Sequence, residues 1–464
     1  MHDRPVSRLR LLRGRGGLTD FADLDYDGAV AALRSRGRFG ISLGLTRIEA
    51  LLEELDNPQR RLRGALVGGT NGKGSVVALA RCVLQEAGQR VGTMPKPHLV
   101  SYRERIAIDG RPISRERFAT ALAGVMPAVE QVTARLGPPT EFEVLTAAAF
   151  QELSSEGVDL ALVEVGLGGR LDATNVLDPG VAVITNVQHD HERLLGSTLA
   201  AIGFEKAAII KPGNLAVTGA RGRGLRPILD RCADVGASLR RAGLRQPYDA
   251  ALREAGWDGI VVDATLPGGP LRGLRIGLLG SHQAANAAVA LGLLDAVVEE
   301  AGRRGLELKV DEGAIRRGFA AARWPGRLEL LRETPFGPVL LDGAHNPAGA
   351  RALARALGEL EMRRFPMVFG AMRGKRVAAV LRALAPLDPR PVFTRVEDPG
   401  AIPAEELLRR WRRLGGDGRT AASPAAALSL AAEVRRSAEQ PVVVAGSLYL
   451  VGGVRGMLRG EEDL

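Results

Sequence analysis

A glycine-rich segment near the start of the chain carries the residue types that hold phosphate groups. Residues 68–75 read GGTNGKGS and follow an apolar run at residues 62–67. Glycines let backbone N–H groups wrap around phosphate oxygens, and a helix that begins there adds positive potential. In such a loop Lys73 reaches the terminal phosphates and Ser75 ligates Mg²⁺. The segment predicts a nucleotide site rather than an ordinary glycine-rich turn, although Gly74 breaks the strict Walker pattern.

Other polar side chains follow predicted strands at their carboxyl ends. Glu164 closes one apolar run, Asp190 and His191 come just after a second, and Asp342 and His345 come just after a third. Open parallel sheets place their ligands at this edge. We therefore expect these side chains to converge on the glycine-rich loop.

Short buried strands alternating with helices would position these residues. Residues 62–67 predict a strand, and apolar residues between positions 76 and 84 recur at helical spacing until Gly88 ends the helix. Further apolar runs occupy residues 158–165, 181–187, 339–341, 367–369, 392–393 and 442–444. Runs without polar alternation indicate strands buried on both faces, which is typical of mostly parallel sheets in an α/β fold.

The length of 464 residues predicts two domains, because single cores stop growing at roughly 250–300 residues. The candidate boundary is RWPGR at residues 323–327, where proline and glycine interrupt two regular patterns. Residues 21–323 are expected to form a large P-loop ATPase-like domain with a mostly parallel sheet. Residues 324–464 are expected to form a smaller, Rossmann-like α/β domain, and the Arg-rich residues 1–20 a disordered tail.

Composition narrows the class of protein. No window approaches the about 18 uninterrupted apolar residues that a membrane-spanning helix needs, and no apolar stretch follows the Arg-rich start as in a secretory signal. The two cysteines form neither a disulfide framework nor a metal-binding spacing. These features predict a cytoplasmic protein with no membrane partner.

The net charge of +10 suggests either nucleic acid or small anionic substrates as partners. Only 4% of residues are aromatic and the arginines are spread along the chain, which argues against nucleic acid. Only six of the 63 basic residues are lysines. In such an arginine-rich chain, a lysine indicates a place that needs a compact or deprotonatable amine.

Short segments from about residue 40 to the C-terminus carry a family resemblance. They read GTNGKGS, PHLVSYRERI, TEFEVLTAAAF, EVGLGGRLDATNV, ITNVQHDHERLLG, FEKAAIIKPG, GSHQAANAAVAL, WPGRLE, LDGAHNP, FGAM and AGSLYLVG. In this order they resemble the folylpolyglutamate synthase/dihydrofolate synthase branch of the Mur ligase superfamily. EVGLGGRLDATNV is the most specific, since it separates the folate branch from the peptidoglycan ligases. The resemblance implies an ATP-dependent ligase that adds L-glutamate to dihydropteroate and to reduced folates through an acyl phosphate.

The resemblance also implies roles for residues around ATP. It identifies Ser75, Glu164 and His191 as Mg²⁺ ligands, although histidine is unusual for a cation that prefers oxygen. A monovalent cation such as K⁺ is also compatible with the pattern. Asn286 has a plain helix cap as its alternative role, whereas an Arg327 guanidinium from a second domain suits a transferring phosphoryl group. The implied ATP contacts are Gly72, Lys73, Gly74, Ser75, Asn286, Arg327, Asp342 and His345, and the implied catalytic residues are Lys73, Lys206, His191 and Arg327.

Lys206 matches the lysine that is carbamylated in this superfamily. Carbamylation needs a deprotonated amine, whereas a free lysine has a pKa near about 10.4. The role therefore requires a partly desolvated pocket that lowers the pKa. An exposed lysine on an Ala/Ile-rich helix is the alternative.

The implied dihydropteroate contacts are Thr140, Glu141, Phe142, Glu143, Leu171, Asp172 and Ala173. Phe142 would offer an aromatic face and Asp172 an acceptor for ring N–H groups. The chain departs from the family where Pro95-Lys96 replaces the usual Thr-Ser before Pro-His-Leu. Between two prolines Lys96 is expected to point to solvent. Alternatively its ammonium reaches the site and favours substrates that already carry a glutamate tail.

Four alternatives to the bifunctional enzyme remain from sequence alone. They are a folylpolyglutamate synthase without the first activity, another Mur-type amino-acid ligase, a non-catalytic nucleotide-binding regulator and a nucleic-acid-binding protein. The regulator would have a damaged metal set, yet Ser75, Glu164, His191 and Lys206 are all present. Nucleic acid is favoured by the isoelectric point alone. We expect a monomer whose partners are small molecules.

Overall fold

The computed structural model describes residues 24–37 and 44–460. The predicted tail, residues 1–20, lies outside these ranges. Within them the chain forms three sheets, two of which are mostly parallel and one of which is antiparallel.

The largest sheet has eight strands in the order β4-β3-β2-β5-β1-β6-β7-β8. Its strands are β1 Gly64–Gly68, β2 Val91–Met94, β3 Ala107–Ile108, β4 Arg111–Pro112, β5 Leu160–Glu164, β6 Gly180–Ile184, β7 Leu215–Thr218 and β8 Ser238–Arg241. In this order every neighbouring pair from β2–β5 to β7–β8 is parallel, and the pairs β2–β3 and β3–β4 at one edge are antiparallel. Because β1 lies between β5 and β6, Gly68, Glu164 and Ile184 end at the same edge of the sheet.

Helices cover both faces of this sheet. They are α1 Tyr26–Gly37, α2 Thr46–Glu53, α3 Lys73–Glu86, α4 Arg115–Leu136, α5 Glu141–Ser155, α6 Glu192–Leu195, α7 Leu199–Ala207, α8 Arg226–Asp234, α9 Gln283–Arg303 and α10 Glu312–Ala321. Successive residues of β1 enter two different cores: Leu66 packs on the side of α4 and α5, while Ala65 and Val67 pack on the side of α3 and α9. This two-sided burial explains the uninterrupted apolar runs of the central strands.

A three-stranded antiparallel sheet, which the sequence did not lead us to expect, packs on α9. It consists of β9 Asp249–Gly256, β10 Gly259–Leu266 and β11 Gly269–Ile276. Its first strand reads DAALREAG, a composition that favours helix, and most of its side chains are exposed or half-buried. Pairing with β10, whose Ile260 and Val262 enter the core with α9, overrides this local preference.

The C-terminal part is a six-stranded sheet in the order β12-β13-β17-β14-β15-β16, parallel except for the pair β12–β13. The strands are β12 Glu329–Leu331, β13 Val339–Leu341, β14 Pro366–Phe369, β15 Arg390–Thr394, β16 Arg419–Ala421 and β17 Val442–Ala445. Its helices are α11 Pro347–Glu359, α12 Val377–Leu384, α13 Ala404–Arg412, α14 Pro424–Ala432 and α15 Leu448–Arg459. The predicted α/β fold, with a larger mostly parallel sheet followed by a smaller α/β part, is confirmed.

The predicted strands agree with the observed ones apart from their ends. The run at residues 181–187 extends beyond β6, because Thr185–Val187 leave the sheet and line a cavity at its carboxyl edge. No helix in the described ranges combines the length and apolar character needed to cross a membrane.

Candidate active site

A cavity of about 1630 Å³ lies between the carboxyl edge of the eight-stranded sheet and the C-terminal part. Every residue that the sequence predicted for nucleotide, metal or substrate lines it. These residues are Gly72, Lys73, Gly74, Ser75, Thr140, Glu141, Phe142, Glu143, Glu164, Leu171, Asp172, Ala173, His191, Lys206, Asn286, Arg327, Asp342 and His345.

Close contacts shape the glycine-rich loop. Gly69 and Gly72 have φ angles of 140° and 82°, and a β-carbon on either would collide with Thr185 Oγ1 or Asn286 Oδ1, respectively. Thr185 Oγ1 donates a hydrogen bond to the carbonyl of Asn71 at 2.7 Å. Gly72 precedes α3, whose first N–H groups have no partner inside the helix. Such a helix start, reached through a tight glycine loop, is suited to binding phosphate.

The departure from Walker spacing has a structural reason. Gly74 is the second residue of α3, and a β-carbon on it would lie 2.5 Å from the indole ring of Trp324. Trp324 belongs to the segment that joins α10 to β12. The missing side chain therefore lets the segment leading into the C-terminal sheet pack directly on the phosphate loop.

Two lysines share one backbone acceptor in this loop. The Nζ atoms of Lys73 and Lys206 donate to the carbonyl oxygen of Gly69 at 3.3 and 3.1 Å. Lys73 Nζ also lies 3.7 Å from Glu164 Oε1. Two amines gathered around one carbonyl, with one carboxylate beside Lys73, favour the binding of a further anion.

Lys206 is only 4% exposed, at the end of α7. Burial and then the charge of Lys73 lower the pKa of Lys206 to about 7. A substantial fraction of this amine is therefore neutral at pH 7. The predicted desolvated pocket is present, and the alternative of an exposed lysine is wrong.

Glu164 and Ser75 are buried and bring two side-chain oxygens to the cavity. Burial raises the pKa of Glu164, while the charge of Lys73 opposes the rise. The described residues contain no group of three or more His, Cys, Asp or Glu side chains arranged to hold a metal ion. A carboxylate and a hydroxyl that face a phosphate loop nevertheless fit Mg²⁺, which takes many of its ligands from water and phosphate.

His191 precedes α6 in a left-handed conformation, with φ of 51°. Its Nε2 lies 3.4 Å from Lys375 Nζ. Burial and the charge of Lys375 lower the pKa of His191, so the ring is neutral at pH 7. A neutral imidazole is the form that binds metal ions.

Asp190 connects the two parts of the chain across the cavity. Lys375 Nζ donates to Oδ1 at 3.2 Å, Asn346 Nδ2 donates to Oδ2 at 2.9 Å, and His345 Nε2 lies 3.8 Å from Oδ2. Burial alone would raise the pKa of Asp190, but His345 and the charge of Lys375 lower it far below its usual range. Sequence reasoning missed Asn346 and Lys375. Asn346 could have been found from its position next to His345, and Lys375 from the scarcity of lysines in this chain.

Arg327 enters the cavity from the C-terminal part and packs so closely on Gly343 that a β-carbon there would collide with its guanidinium. Within the described ranges it makes no ion pair. Burial raises the pKa values of Glu164 and Asp342, and the charge of Arg327 opposes the rise in each. An unpaired guanidinium near these carboxylates suits a phosphate group, which it binds through charge-assisted hydrogen bonds.

Asp342 and Asn286 support the residues around them. Asp342 accepts hydrogen bonds from the backbone N–H groups of Leu328 at 3.0 Å and Ala344 at 2.9 Å, which fixes the turn that carries Arg327. Asn286 lies inside α9 rather than at its N-cap, so the alternative of a plain helix cap is wrong. Its Nδ2 donates to Gln283 Oε1 at 2.7 Å.

The predicted substrate segment forms the start of α5. Thr140 caps this helix, since its hydroxyl accepts from Glu143 N and the Glu143 carboxylate accepts from Thr140 N at 2.7 Å. Arg47 pairs with Glu143 at 3.1 Å, and Tyr102 donates to Glu141 Oε1 at 2.8 Å. This capping box holds the N-terminal turn of the helix at the cavity wall.

Asp172 folds the EVGLGGRLDATNV segment back on itself. Its Oδ2 accepts from the N–H groups of Gly166 at 3.0 Å and Leu167 at 2.8 Å, and its Oδ1 accepts from Thr174 N at 3.1 Å. These bonds place Leu171 and Ala173, on either side of Asp172, at the cavity. The backbone already occupies the Asp172 oxygens, so its contact with substrate stays a prediction.

Lys96 does not point to solvent, and the prediction that it would is wrong. It is 9% exposed, and its backbone N–H donates to Glu164 Oε2 at 3.2 Å. Its Nζ lies 3.8 Å from the centre of the Phe142 ring and 3.8 Å from Asp172 Oδ1. Burial, opposed by the charge of Asp172, lowers the pKa of Lys96 to about 7.

Arg105 also lines the cavity and was missed by sequence reasoning. Its Nε donates to His98 Nδ1 at 3.0 Å. Burial and the charge of Arg105 lower the pKa of His98 to about 3, so the ring remains a neutral acceptor that orients the guanidinium. Both residues lie in PHLVSYRERI, a segment that carried the family resemblance.

Comparison with known proteins agrees with this arrangement. The Mur ligase middle domain matches residues 67–294, and the glutamate ligase domain of Mur ligases matches residues 326–448. The fold and the cavity therefore define an ATP-dependent ligase of the Mur type.

The relatives narrow the class further. Dihydrofolate synthase/folylpolyglutamate synthase of Bacillus subtilis is 33% identical over 454 residues, covering 94% of this chain and 99% of the relative. Folylpolyglutamate synthase of Mycobacterium tuberculosis complexed with ADP and AMPPCP has a TM-score of 0.84 at 34% identity, covering 93% of this chain and 99% of that one. Escherichia coli FolC in complex with DHPP and ADP has a TM-score of 0.82 at 30% identity, with 94% and 98% covered. The chain belongs to the dihydrofolate synthase/folylpolyglutamate synthase family.

Proposed function

We propose that this protein adds L-glutamate to dihydropteroate, giving dihydrofolate, and to reduced folates, with ATP hydrolysed to ADP and phosphate. The observation that carries the proposal is the single cavity in which the phosphate loop with Lys73 meets Asp172 of the folate-branch segment. Two relatives support it: the B. subtilis relative is named for both activities, and the E. coli structure contains DHPP with ADP.

The phosphates of ATP bind at the N-terminus of α3, with Lys73 and Arg327 on opposite sides of the terminal phosphate. Lys73 comes from the loop itself and Arg327 from the C-terminal part, so both cations meet only where the two parts are together. Asn286, Asp342 and His345 complete the nucleotide site.

Ser75, Glu164 and His191 would hold Mg²⁺, which neutralises phosphate charge and polarises the transferring group when bound. The neutral ring of His191 suits this role, and a bound cation would favour the charged form of Glu164, whose pKa burial raises. A monovalent cation such as K⁺ would serve as a further counter-ion.

The reaction has two steps. An oxygen of the substrate carboxylate attacks the γ-phosphorus, the bond to the β-phosphate oxygen breaks, and ADP leaves. Lys73 and Arg327 stabilise the charge that spreads over the γ-phosphate oxygens. The amine of L-glutamate then attacks the carbonyl carbon of the acyl phosphate, loses a proton, and expels phosphate to leave an amide.

Lys206 acts after modification. Its neutral amine attacks CO₂, an N–C bond forms as one C=O π bond opens, and the nitrogen releases a proton to leave a carbamate anion. Counted from the ammonium form, two protons leave and the charge changes from +1 to −1. The carbamate pairs with Lys73, whose Nζ shares the Gly69 carbonyl with Lys206. Lys73 is then fixed for phosphate rather than repelled by a second ammonium.

The heterocycle of the substrate occupies the pocket between the start of α5 and the segment around Asp172. Thr140, Glu141, Phe142 and Glu143 form one wall, while Leu171, Asp172 and Ala173 form the other. The large domain, residues 21–323, supplies these walls, and residues 324–464 close over the nucleotide to exclude water that would hydrolyse the intermediate. We place the protein in the cytoplasm as a monomer.

The experiment that tests the proposal is ADP release measured with dihydropteroate and with tetrahydrofolate in parallel, each with ATP, Mg²⁺ and L-glutamate. Both substrates should give ADP that depends on glutamate, and mass spectrometry should show products heavier by one glutamyl residue. Lys73→Met should abolish both reactions, while Lys309→Met, which changes an exposed lysine outside the cavity, should not. ADP release with tetrahydrofolate alone leaves a folylpolyglutamate synthase, and release with neither refutes the proposal.

A further inference from the structure

Lys96 is a buried cation whose hydrogen-bonding capacity is unused. Its Nζ is enclosed by protein and has no hydrogen-bond partner, although an ammonium carries three donors. The nearest carboxylate oxygen, Asp172 Oδ1, lies 3.8 Å away, beyond hydrogen-bond distance. Donors left unsatisfied in a protein interior are costly, so a small rotation of the Lys96 side chain toward the adjoining cavity would be favoured when an acceptor enters it.

The neighbours of Lys96 Nζ indicate which part of the substrate would supply the acceptor. Lys96 Nζ lies over the ring of Phe142, at 3.8 Å from its centre, and beside Asp172. Both residues belong to the walls proposed above for the heterocycle. The ammonium covers one face of Phe142, so a heterocycle bound between these walls on that side would lie next to Lys96.

The donors and acceptors of the heterocycle then determine which of its atoms can pair with Lys96 Nζ. The carboxylate of Asp172 and an added acceptor both favour the protonated form of Lys96, and an ammonium donates hydrogen bonds but cannot accept them. A pterin carries N–H donors along the edge with its 2-amino group, whereas its carbonyl oxygen at C4 is an acceptor with two lone pairs. The C4 carbonyl is thus the partner that an ammonium selects.

We propose that Lys96 is a specificity-determining residue whose ammonium donates a hydrogen bond to the C4 carbonyl oxygen of the pterin. The inference rests on the proposed function for the choice of ligand. It also replaces the expectation that Lys96 pairs with a glutamate tail, since its Nζ lies against the walls of the heterocycle pocket.

The test measures binding by calorimetry in the presence of ADP, with no turnover required. The probes are pteroate, folate and 4-amino-4-deoxypteroate, in which a donor amino group replaces the C4 carbonyl. The variants are Lys96→Met, which keeps the length of the side chain without its donors, and Lys96→Ser. Lys309→Met is the matched control, because Lys309 is exposed and does not line the cavity.

Lys96→Met should weaken pteroate and folate equally, by about 10- to 100-fold, as expected for the loss of a charge-assisted hydrogen bond. The wild-type protein should prefer pteroate to the 4-amino analogue by a similar factor, and the variant should lose that preference. ADP affinity should stay the same. Lys96→Ser should also lose the preference, which keeps the test decisive if the methionine variant is unstable.

Unchanged or tighter pteroate binding in both variants would overturn the inference. A loss of affinity confined to folate would also overturn it, because it would show that Lys96 contacts the glutamate tail. These outcomes are separate from the proposed function. A wild-type protein that binds pteroate through Lys96 but releases no ADP would refute the ligase reaction and leave the contact intact. A wild-type protein that ligates glutamate, together with Lys96 variants that bind pteroate equally well, would refute the contact and leave the ligase reaction intact.

Discussion

The carbamylation of Lys206 gives the most direct test of the catalytic arrangement. The pKa of this lysine is lowered from 10.5 to about 7 by burial and by the charge of Lys73. At pH 7 roughly half of the side chain is then neutral, compared with roughly 0.03% for an unperturbed lysine. Because only the neutral amine attacks CO₂, Lys206 is available for carbamylation at a pH at which an ordinary lysine is almost wholly protonated.

The pH dependence follows from the direction of this shift. A lowered lysine pKa leaves the amine mostly protonated below pH 6 and mostly neutral above pH 8. Carbamate formation on Lys206 should therefore rise through pH 7, where an exposed lysine remains charged. Carbon-13 bicarbonate supplies the label, and the carbamate carbon is detected by NMR in wild-type protein, in Lys206→Ala and in Lys309→Ala.

Lys206→Ala should lose the carbamate signal and most ligase activity while it keeps its fold and its ATP binding. Formate or acetate added to this variant should restore part of the activity by placing a carboxylate beside Lys73. Lys309→Ala should behave as wild type, because Lys309 is exposed. Full activity of Lys206→Ala without any added acid, or a carbamate signal that persists in it, would refute this reasoning.

Further substitutions test the neighbouring residues. Arg327→Ala should lower kcat by about 10²–10³-fold, as for other donors aimed at transition-state charge, with little change in ATP affinity; an effect on affinity alone would make Arg327 a ground-state contact. Gly74→Ala should destabilise the protein by about 1–3 kcal/mol and lower activity, because the new methyl group would lie 2.5 Å from Trp324. Gly124→Ala, inside α4 where the nearest atom is 3.8 Å away, is its control, and equal melting temperatures of the two variants would contradict the proposed contact.

The sequence was most informative where local chemistry and fold geometry coincide. Lys73 and Glu164 could be placed together because a glycine loop after one parallel strand and a carboxylate at the end of its neighbour must share an edge of the sheet. The uninterrupted apolar runs predicted strands correctly, because helices cover both faces of the sheet and leave no exposed face for polar residues. Lys206 needed the family resemblance, because nothing in a helix of alanine and isoleucine shows that its lysine is buried.

Contacts between distant parts of the chain could not be read from the sequence. Asp190 meets Lys375 and Asn346 across 185 and 156 positions, and no local pattern encodes such pairings. The strand β9 was missed because its residues prefer helix and are held in a strand only by β10. Lys96 was predicted wrongly because flanking prolines indicate a stiff exposed loop, whereas the side chain is buried beside Phe142 and Asp172.

These long-range contacts have a common electrostatic consequence. Lys73 and Lys206 crowd one carbonyl, Arg327 makes no ion pair within the described ranges, and Lys96 keeps its donors unsatisfied. Burial depresses the pKa values of Lys96 and Lys206 to about 7, and nearby carboxylates oppose the shift only in part. Anions that enter the cavity relieve the repulsion, so binding energy is released where triphosphate and carboxylate must meet. Local groups of cations on the phosphate-loop side of the cavity, such as Lys73 with Lys206, rather than the basic surface, therefore favour small anionic substrates.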